Sequence, residues 1–246
     1  MAVDPRVLFR EPRVLRFGVT ERRLHTVHAA AFGLLLATGF MLYLPFVAQI
    51  VSDRPLMKAI HLATAALWLT ALLLVVVLGD RAALRGTRRE IERLDADDLL
   101  FLRRRTRAAG RFNGGQKAHA IVQGGLGVLL TVSGALLWLG ERDTALRLPG
   151  TIALHDAATL LLAALVAGHV WMAMSRPASL EGIWRGTVPA SYAAEHHEKW
   201  RPASAAEPAT AAGRPAGVGA SRIVLAALVT AAGLAAAALL VADVAG

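Results

Sequence analysis

Two histidines bound an otherwise apolar, helix-forming run, HDAATLLLAALVAGH, at residues 155 to 169. In an α-helix this separation of 14 residues rotates the second side chain by about 40° and moves it by about 21 Å along the axis. One face of the helix therefore carries two imidazoles at two depths. Ionisable groups inside a membrane-spanning helix are costly, and they are found there mostly where they have a function.

Two further histidines supply partners at these depths. His25 stands where the first apolar run leaves the cytoplasmic face, and His61 stands near the outer start of the second. A neutral imidazole can give one nitrogen to iron while its other N–H bonds a backbone carbonyl. Two bis-histidine haem sites therefore satisfy the spacing. The macrocycles need small residues around them, and the glycines that could supply that space, or simply allow close helix packing, are Gly33, Gly39, Gly124, Gly125, Gly127 and Gly134.

Other interpretations of these histidines stay open at this point. A single buried histidine often makes an interhelical hydrogen bond, and chains of histidines also serve proton relays in transporters. Relays usually add intramembrane acids, for which only Asp156 is a candidate. His28, three residues after His25, is the rival inner ligand. The remaining histidines are expected at the membrane interface or the surface, and they are His119, His196 and His197. The alternative for His119 is that it lines the inner cavity.

Five apolar runs are long enough to cross a bilayer as helices, at about 27–48, 59–79, 118–140, 152–174 and 223–242. The chain is 55% hydrophobic and has a mean hydropathy of +0.49. It contains no cysteine, which excludes disulfides and iron–sulfur clusters held by its own thiolates.

The basic residues predict the topology. Of the 27 Lys and Arg, 23 fall in residues 1–26, 80–117 and 176–222, and only four fall in 45–58 and 141–151. The positive-inside rule places the N-terminus in the cytoplasm and the C-terminus outside. The net charge of +9 is then a topology signal and does not indicate nucleic-acid binding.

These patterns predict an all-α fold, a transmembrane four-helix bundle with an additional C-terminal transmembrane helix. The predicted segments are a cytoplasmic N-terminal segment (1–26), the four-helix domain (27–175), a cytoplasmic tail (176–201), a Pro/Ala-rich linker (202–222) and the fifth transmembrane helix (223–242). Between the second and third spans, mixed charges on either side of DADD predict short surface helices.

The loop GRFNGGQKAH, residues 110–119, precedes the third span and offers amide groups at the membrane boundary, while its glycines allow a ligand or another chain to approach closely. Together with other motifs, this loop resembles the gamma subunit of membrane-bound respiratory formate dehydrogenase, a four-helix dihaem cytochrome b. The resemblance covers residues 15–201, and its other motifs are RRLH ending at 25, TG at 38–39, IH at 60–61, GH at 168–169 and GIWRGTVPASYAAEHHEKW at 182–200.

The resemblance implies two haems b and a site for menaquinone or ubiquinone. It implies that His61 and His155 bind the outer haem, and that His25 and His169 bind the inner one. The quinone pocket beside the inner haem would contain Asn113, Gly115, Gln116 and His169. Lys117 also matches the loop, with the alternative role of anchoring a phosphate or a haem propionate.

The resemblance also implies partners and a place of action. An iron–sulfur subunit and a molybdenum or tungsten catalytic subunit would feed electrons to this chain, which would not oxidise formate itself, in the cell inner membrane and in some cases within a higher-order oligomer. Related hydrogenase and thiosulfate-reductase cytochromes share the histidines. The alternatives are therefore the dihaem cytochrome b subunit of a hydrogenase, a thiosulfate reductase or another molybdoenzyme, or a stand-alone quinone-linked cytochrome b. Two features depart from the family: the added fifth helix and His119, where members typically carry an apolar residue.

Overall fold

The computed structural model describes residues 11–51, 53–103, 108–202 and 218–245. Most of these residues are helical, which confirms the all-α prediction. The helices are α1 Val19–Tyr43, α2 Pro45–Val51, α3 Arg54–Leu78, α4 Arg81–Glu92, α5 Ala96–Leu102, α6 Gly114–Gly140, α7 Thr151–Met174, α8 Pro177–Arg185, α9 Ala190–His196 and α10 Ala220–Ala245. A 3-10 turn, Thr144–Leu146, precedes α7, and two short strands are β1 Arg13–Leu15 and β2 Thr187–Pro189. Most of the predicted linker and the first ten residues lie outside the described residues.

Five of the described helices, α1, α3, α6, α7 and α10, are long and apolar enough to cross a membrane. Large apolar side chains stay exposed along them, including Leu73, Val128 and Trp171. A surface of this kind suits contact with lipid, and the protein is a multi-pass membrane protein with the predicted extra helix at its C-terminal end.

The first helix differs from its predicted range of 27–48. It runs over Val19–Tyr43, and a separate short helix begins at Pro45. Glu21 lies in the first turn, where its carboxylate accepts a hydrogen bond from the Gly18 N–H at 2.7 Å. Pro45 has no N–H to continue the first helix. The range predicted from hydropathy therefore begins too late, because it omits about two polar turns before residue 27. It also ends too late, because it continues past the helix break at Leu44.

The chain divides into two compact units. The described residues of the larger unit are 23–51, 53–81, 122–168 and 218–245. Side chains from α1, α3, α6 and α7 meet in its core, and the buried members of this cluster are Phe32, Trp68, Leu126, Ala158 and Leu162. We call this larger unit the membrane unit.

The fifth long helix is held on α3 within the membrane unit. Gly233 of α10 lies so close to Thr70 of α3 that a Cβ at this position would overlap the threonine side chain. At one end, the Arg222 guanidinium donates to the carbonyls of Val77 and Gly79, at 2.6 and 2.7 Å. These carbonyls belong to the C-terminal end of α3, which otherwise leaves acceptors unpaired. The added helix is thus an integral part of the bundle.

The described residues of the smaller unit are 11–22, 82–103, 108–121 and 169–202, and we call it the loop unit. Its two strands pair antiparallel, with Val14 opposite Val188. Asp95 caps α5 and exchanges hydrogen bonds with Asp98 in a capping box, so the helix boundary predicted at DADD is confirmed. Inside this unit, Arg111 pairs with Glu21 at 2.9 Å.

Candidate functional site

The structure brings His61 of α3 and His155 of α7 together in the membrane unit, and we call them the outer pair. The two imidazoles are near enough to interact electrostatically. The Nδ1 atom of His61 lies 2.8 Å from the Thr38 hydroxyl of α1. The Nδ1 atom of His155 lies 2.8 Å from the Ser133 hydroxyl of α6. Each member of the predicted outer ligand pair is thus held by a hydroxyl from a neighbouring helix.

These hydroxyls determine which ring nitrogen carries the proton. The Thr38 hydroxyl donates to the Leu34 carbonyl at 2.8 Å, and the Ser133 hydroxyl donates to the Leu129 carbonyl at 2.8 Å. A hydroxyl has one hydrogen; with that hydrogen on the helix carbonyl, each hydroxyl accepts a hydrogen bond from its imidazole, whose Nδ1 then carries the proton. The Nε2 atom of each histidine keeps its lone pair, which is the form that binds a metal. The sequence predicted backbone carbonyls as the partners. His61 has a backbone partner in Leu35 as well as the Thr38 hydroxyl, and His155 has the Ser133 hydroxyl.

Six glycines were predicted to leave space for the macrocycles, and two of them border the outer pair. A Cβ at Gly39 would lie 3.6 Å from Cε1 of His61, and a Cβ at Gly134 would lie 3.4 Å from Cε1 of His155. Gly127 instead packs on Phe32 and Trp68. Glycine keeps the imidazole edges clear of side chains. The remaining three have no described atom within 4 Å of such a Cβ, and they are Gly33, Gly124 and Gly125.

A haem held by two imidazoles fits this arrangement. The donor set consists of two neutral imidazoles with available Nε2 atoms, and the flanking residues are small. Trp68, seven residues after His61 on α3, has a buried indole N–H that finds no acceptor among the described residues. An orphaned donor of this kind in an apolar core is costly and calls for an acceptor. Among the described residues no group of three or more metal-binding side chains gathers, and a bis-histidine site needs only two.

His28, the rival inner ligand, is engaged in the core of the membrane unit. Its ring stacks on Phe32 at 4.2 Å and lies 5.6 Å from Trp68. Its Nε2 atom is 2.9 Å from the side-chain amide nitrogen of Gln123. Because the amide donates to this nitrogen, ligation of iron by His28 Nε2 would require that contact to break. The geometry therefore argues against His28 as an iron ligand.

The predicted inner ligands fall in different units, His25 in the membrane unit and His169 in the loop unit. Their pairing stays a prediction. Within the loop unit, His169 of α7 stacks on His119 of α6, with ring centroids 4.7 Å apart and planes at 10°. His119 therefore lies directly against a predicted iron ligand, a contact that its place at the start of a span did not reveal.

The Asn113 and Gln116 side chains form a capping box at the start of α6. The Asn113 side-chain oxygen accepts from the Gln116 N–H at 2.9 Å, and the Gln116 side-chain oxygen accepts from the Asn113 N–H at 3.1 Å. Both oxygens are thus committed to the backbone, and the two amide NH2 groups are the donors that a ligand would meet. Gly114 is required by packing, because a Cβ there would overlap the Asp98 carbonyl group. At Gly115, the glycine of the predicted quinone pocket, a Cβ would lie 3.3 Å from the Asn113 side-chain oxygen and 3.7 Å from the Phe101 ring.

Lys117, which also matches the family loop, makes a buried ion pair. Its ammonium is 2.6 Å from Asp98, with side chains 11% and 6% exposed. The ammonium also donates to the Arg93 carbonyl at 2.9 Å. These contacts favour a structural role for Lys117 over the alternative of a phosphate or propionate anchor.

The tail covers the loop through His197, which is 2% exposed. The expectation of a surface position is wrong for this residue, whereas His196 has a side chain 45% exposed and stacks on Tyr192. Nδ1 of His197 donates to the Gly110 carbonyl at 2.7 Å. Burial, together with the nearby Arg16 charge, lowers the pKa of His197 to about 4. A neutral histidine thus ties the tail to the loop.

Sequence reasoning missed one buried residue of the loop unit, Arg16. It is 2% exposed, and its guanidinium donates to the Arg111 carbonyl at 3.0 Å and to the Gln116 side-chain oxygen at 3.4 Å. The pKa of Arg16 is lowered, first by burial. The arginine holds the N-terminal segment against the loop. Its burial could not be predicted from the sequence, because six basic residues precede the first span and nothing distinguishes Arg16 from the others.

Comparison with known proteins agrees with these features. The sequence model of the family described as prokaryotic cytochrome b561 matches residues 16–186, a range that includes every predicted iron ligand and the whole loop. The chain is 24% identical over 202 residues to the formate dehydrogenase cytochrome b556 subunit of Haemophilus influenzae, covering 77% of this chain and 83% of that protein. The resemblance identified from the motifs is confirmed.

Proposed function

This chain belongs to the prokaryotic cytochrome b561 family, whose name implies haem b, and we propose that it carries electrons through two haems to a quinone. The observation that supports this most directly is the outer pair. His61 and His155 come from different helices, each with Nδ1 bound to a buried hydroxyl 2.8 Å away. Both rings would then offer a neutral Nε2 to a shared iron.

The second haem is proposed between His25 and His169. His169 shares a helix face with His155, and the engagement of His28 by Gln123 favours His25 as the ligand from α1. Bound haem b supplies one-electron redox chemistry, and the chain's contribution is ligation, spacing and an apolar surrounding. Transfer of an electron across the membrane also works with or against the membrane potential, at about 2.3 kcal/mol per 100 mV.

The quinone site is proposed at the loop, lined by Asn113, Gly115, Gln116 and His169. The capping box supports this site, because it fixes both amide side chains at the start of α6 and leaves their NH2 groups as donors. A quinone carbonyl accepts such hydrogen bonds. The positive end of the α6 dipole also favours the negative charge that quinone oxygens gain on reduction.

The partner is proposed to be an iron–sulfur subunit that receives electrons from a molybdenum or tungsten formate dehydrogenase. The similarity to a protein named as a formate dehydrogenase cytochrome subunit supports this assignment. The distribution of basic residues supports electron entry at the outer face, beside the outer pair, and quinone reduction at the cytoplasmic face, in the cell inner membrane.

Purified full-length protein tests the cytochrome assignment. We expect a reduced-minus-oxidised spectrum of b type and two haems per chain. His61→Ala and His155→Ala should each lose one haem, while His196→Ala, which alters an exposed histidine, should keep both. A protein without a b-type spectrum would refute the proposal, and a histidine-based proton pathway would then be the better interpretation of the outer pair.

The quinone site can be tested without unfolding the loop. Asn113→Asp keeps the side-chain oxygen that caps α6 and removes the NH2 donor, whereas Asn113→Ala also removes the cap, at a cost of about 1 kcal/mol. We expect Asn113→Asp to bind two haems and to be reoxidised slowly by quinone. Reoxidation at the normal rate would remove Asn113 from the site, and loss of a haem would show that the loop serves the haem itself. Copurification in mild detergent identifies the catalytic partner.

A further inference from the structure

The two hydroxyls of the outer pair occupy equivalent places on two helix pairs. Thr38 on α1 serves His61 on α3, and Ser133 on α6 serves His155 on α7. Each hydroxyl residue is followed by the glycine that borders the same imidazole, Gly39 in one case and Gly134 in the other. The dipeptides Thr38–Gly39 and Ser133–Gly134 thus have the same role, each for one histidine: a hydroxyl that contacts Nδ1 and a glycine beside the ring.

Both hydroxyls are fully enclosed, since Thr38 is 3% exposed and Ser133 is 1% exposed. Water does not compete for them, and each uses its hydrogen on a carbonyl of its own helix, at 2.8 Å. The remaining lone pairs of the hydroxyl oxygen face the imidazole Nδ1–H. Because a helix carbonyl anchors each hydroxyl, its oxygen has a fixed position, and the ring that bonds to it has a fixed plane.

An acceptor on Nδ1–H changes the electronic character of an imidazole ligand. It increases the basicity of the ring, so the ligand donates more strongly through Nε2. Stronger donation stabilises ferric iron more than ferrous iron. The hydroxyls therefore affect both the orientation of the ligand and the reduction potential of the iron that it binds.

We propose that Thr38 and Ser133 are positioning residues for the outer haem, which fix the tautomer and plane of His61 and His155 and lower the potential of that haem. This inference rests on the proposed function, because it requires a haem at the outer pair. It adds a role for two residues outside the predicted ligand set. Neither residue touches the iron; both act through the histidines.

Four variants of the full-length protein test the inference. Thr38→Val preserves the side-chain volume and removes the acceptor, and Thr38→Ser restores the acceptor in a smaller side chain. Ser133→Ala removes the second acceptor, and the double variant Thr38→Val/Ser133→Ala removes both. The measurement is a redox titration that resolves the two haems, with resonance Raman spectra reporting the ligands. The inner haem in each sample is the internal reference.

The net worth of one hydrogen bond, about 1.4 kcal/mol, sets the upper limit of the effect, a tenfold shift of the ferric–ferrous equilibrium, because only the part of the bond that differs between the two oxidation states counts. We therefore expect the outer-haem potential to rise by up to about 59 mV per hydroxyl removed. Thr38→Ser should behave as the parent protein, and the inner haem should not change. Loss of the outer haem from Thr38→Val with its return in Thr38→Ser would equally show that the hydroxyl is needed.

Unchanged potentials in variants that hold both haems would overturn the inference while leaving the proposed function intact. The inference also fails if the potential in Thr38→Ser shifts as far as in Thr38→Val, since packing would then be the cause. Absence of haem from the parent protein would instead overturn the proposed function, so the two failures are distinguishable.

Discussion

Replacement of Lys117 by methionine separates two roles for the motif lysine. Asp98 is 6% exposed in its side chain and lies 2.6 Å from the ammonium. Among the described residues, its other partner is the Asp95 N–H at 3.0 Å. In Lys117→Met the carboxylate would stay buried without the countercharge that Lys117 supplies, because methionine fills the space of the lysine stem but supplies no donor.

Removal of one member of a buried ion pair destabilises by about 3–5 kcal/mol. In Lys117→Met/Asp98→Asn, the new amide oxygen still accepts from the Asp95 N–H and no buried charge is left. We expect this double variant to recover most of the loss. Lys199→Met is the matched control, because Lys199 pairs with Asp95 where the side chains are 39% and 54% exposed. Exposed pairs contribute about 0–1 kcal/mol.

Native-state hydrogen exchange of α5 and the first turns of α6 measures the free energy of local opening. The expected order of stability is parent, Lys199→Met, double variant and Lys117→Met. If Lys117→Met exchanges as slowly as the parent but loses haem or quinone binding, the lysine anchors a ligand and the ion-pair argument is refuted. A double variant as unstable as Lys117→Met would also contradict it.

Three further predictions concern the tail, the inner site and the fifth helix. The pKa of His197 is about 4 in the folded protein and 6.5 ordinarily, so the unfolded tail binds the proton more strongly. The contribution of His197 to the stability of the folded tail is therefore fully present above pH 6.5. It falls by up to about 3 kcal/mol as the pH drops to 4. Hydrogen exchange across this pH range should show the loss, and His197→Asn, which keeps a donor for the loop carbonyl, should flatten it. His119→Leu should keep both haems but shift the inner-haem potential alone in a redox titration; equal shifts of both haems would contradict a local stacking effect. Gly233→Ala should lower the thermal stability in detergent, and Thr70→Ala should restore it by removing the overlapping side chain; stability that Thr70→Ala does not restore would place the strain elsewhere.

The long helices could be predicted because an apolar run of about 20 residues is by itself typical of a helix that crosses a membrane. Their ends depended on distant residues. The polar first turns of α1 contain Glu21, whose partner Arg111 follows much later in the chain. Strand β1 was also invisible, since three residues carry little pattern and their partners around Val188 lie near the far end of the chain.

The histidines of the site could be predicted because imidazoles are conspicuous in apolar helices. Their hydroxyl partners were not, since Ser and Thr occur in membrane helices for many reasons and only the packing register selects Thr38 and Ser133. The role of Asn113 and Gln116 had a signal in the sequence, because a capping residue followed three positions later by glutamine is a helix-start signature. That signature indicated the helix-capping role of these two side chains.

The duplicated hydroxyl–glycine arrangement has a consequence for how a porphyrin would be seated at the outer pair. Haem b has no two-fold axis in its plane, because its vinyl groups are placed unsymmetrically, so a bound haem could take two orientations that differ by a flip of the ring. If His61 and His155 hold the haem as proposed, each would offer it the same set of groups: an imidazole, a hydroxyl and a glycine. These groups would then give no preference between the two orientations. Substitutions of the side chains that meet the vinyl and propionate edges would therefore alter the ratio of the two orientational isomers.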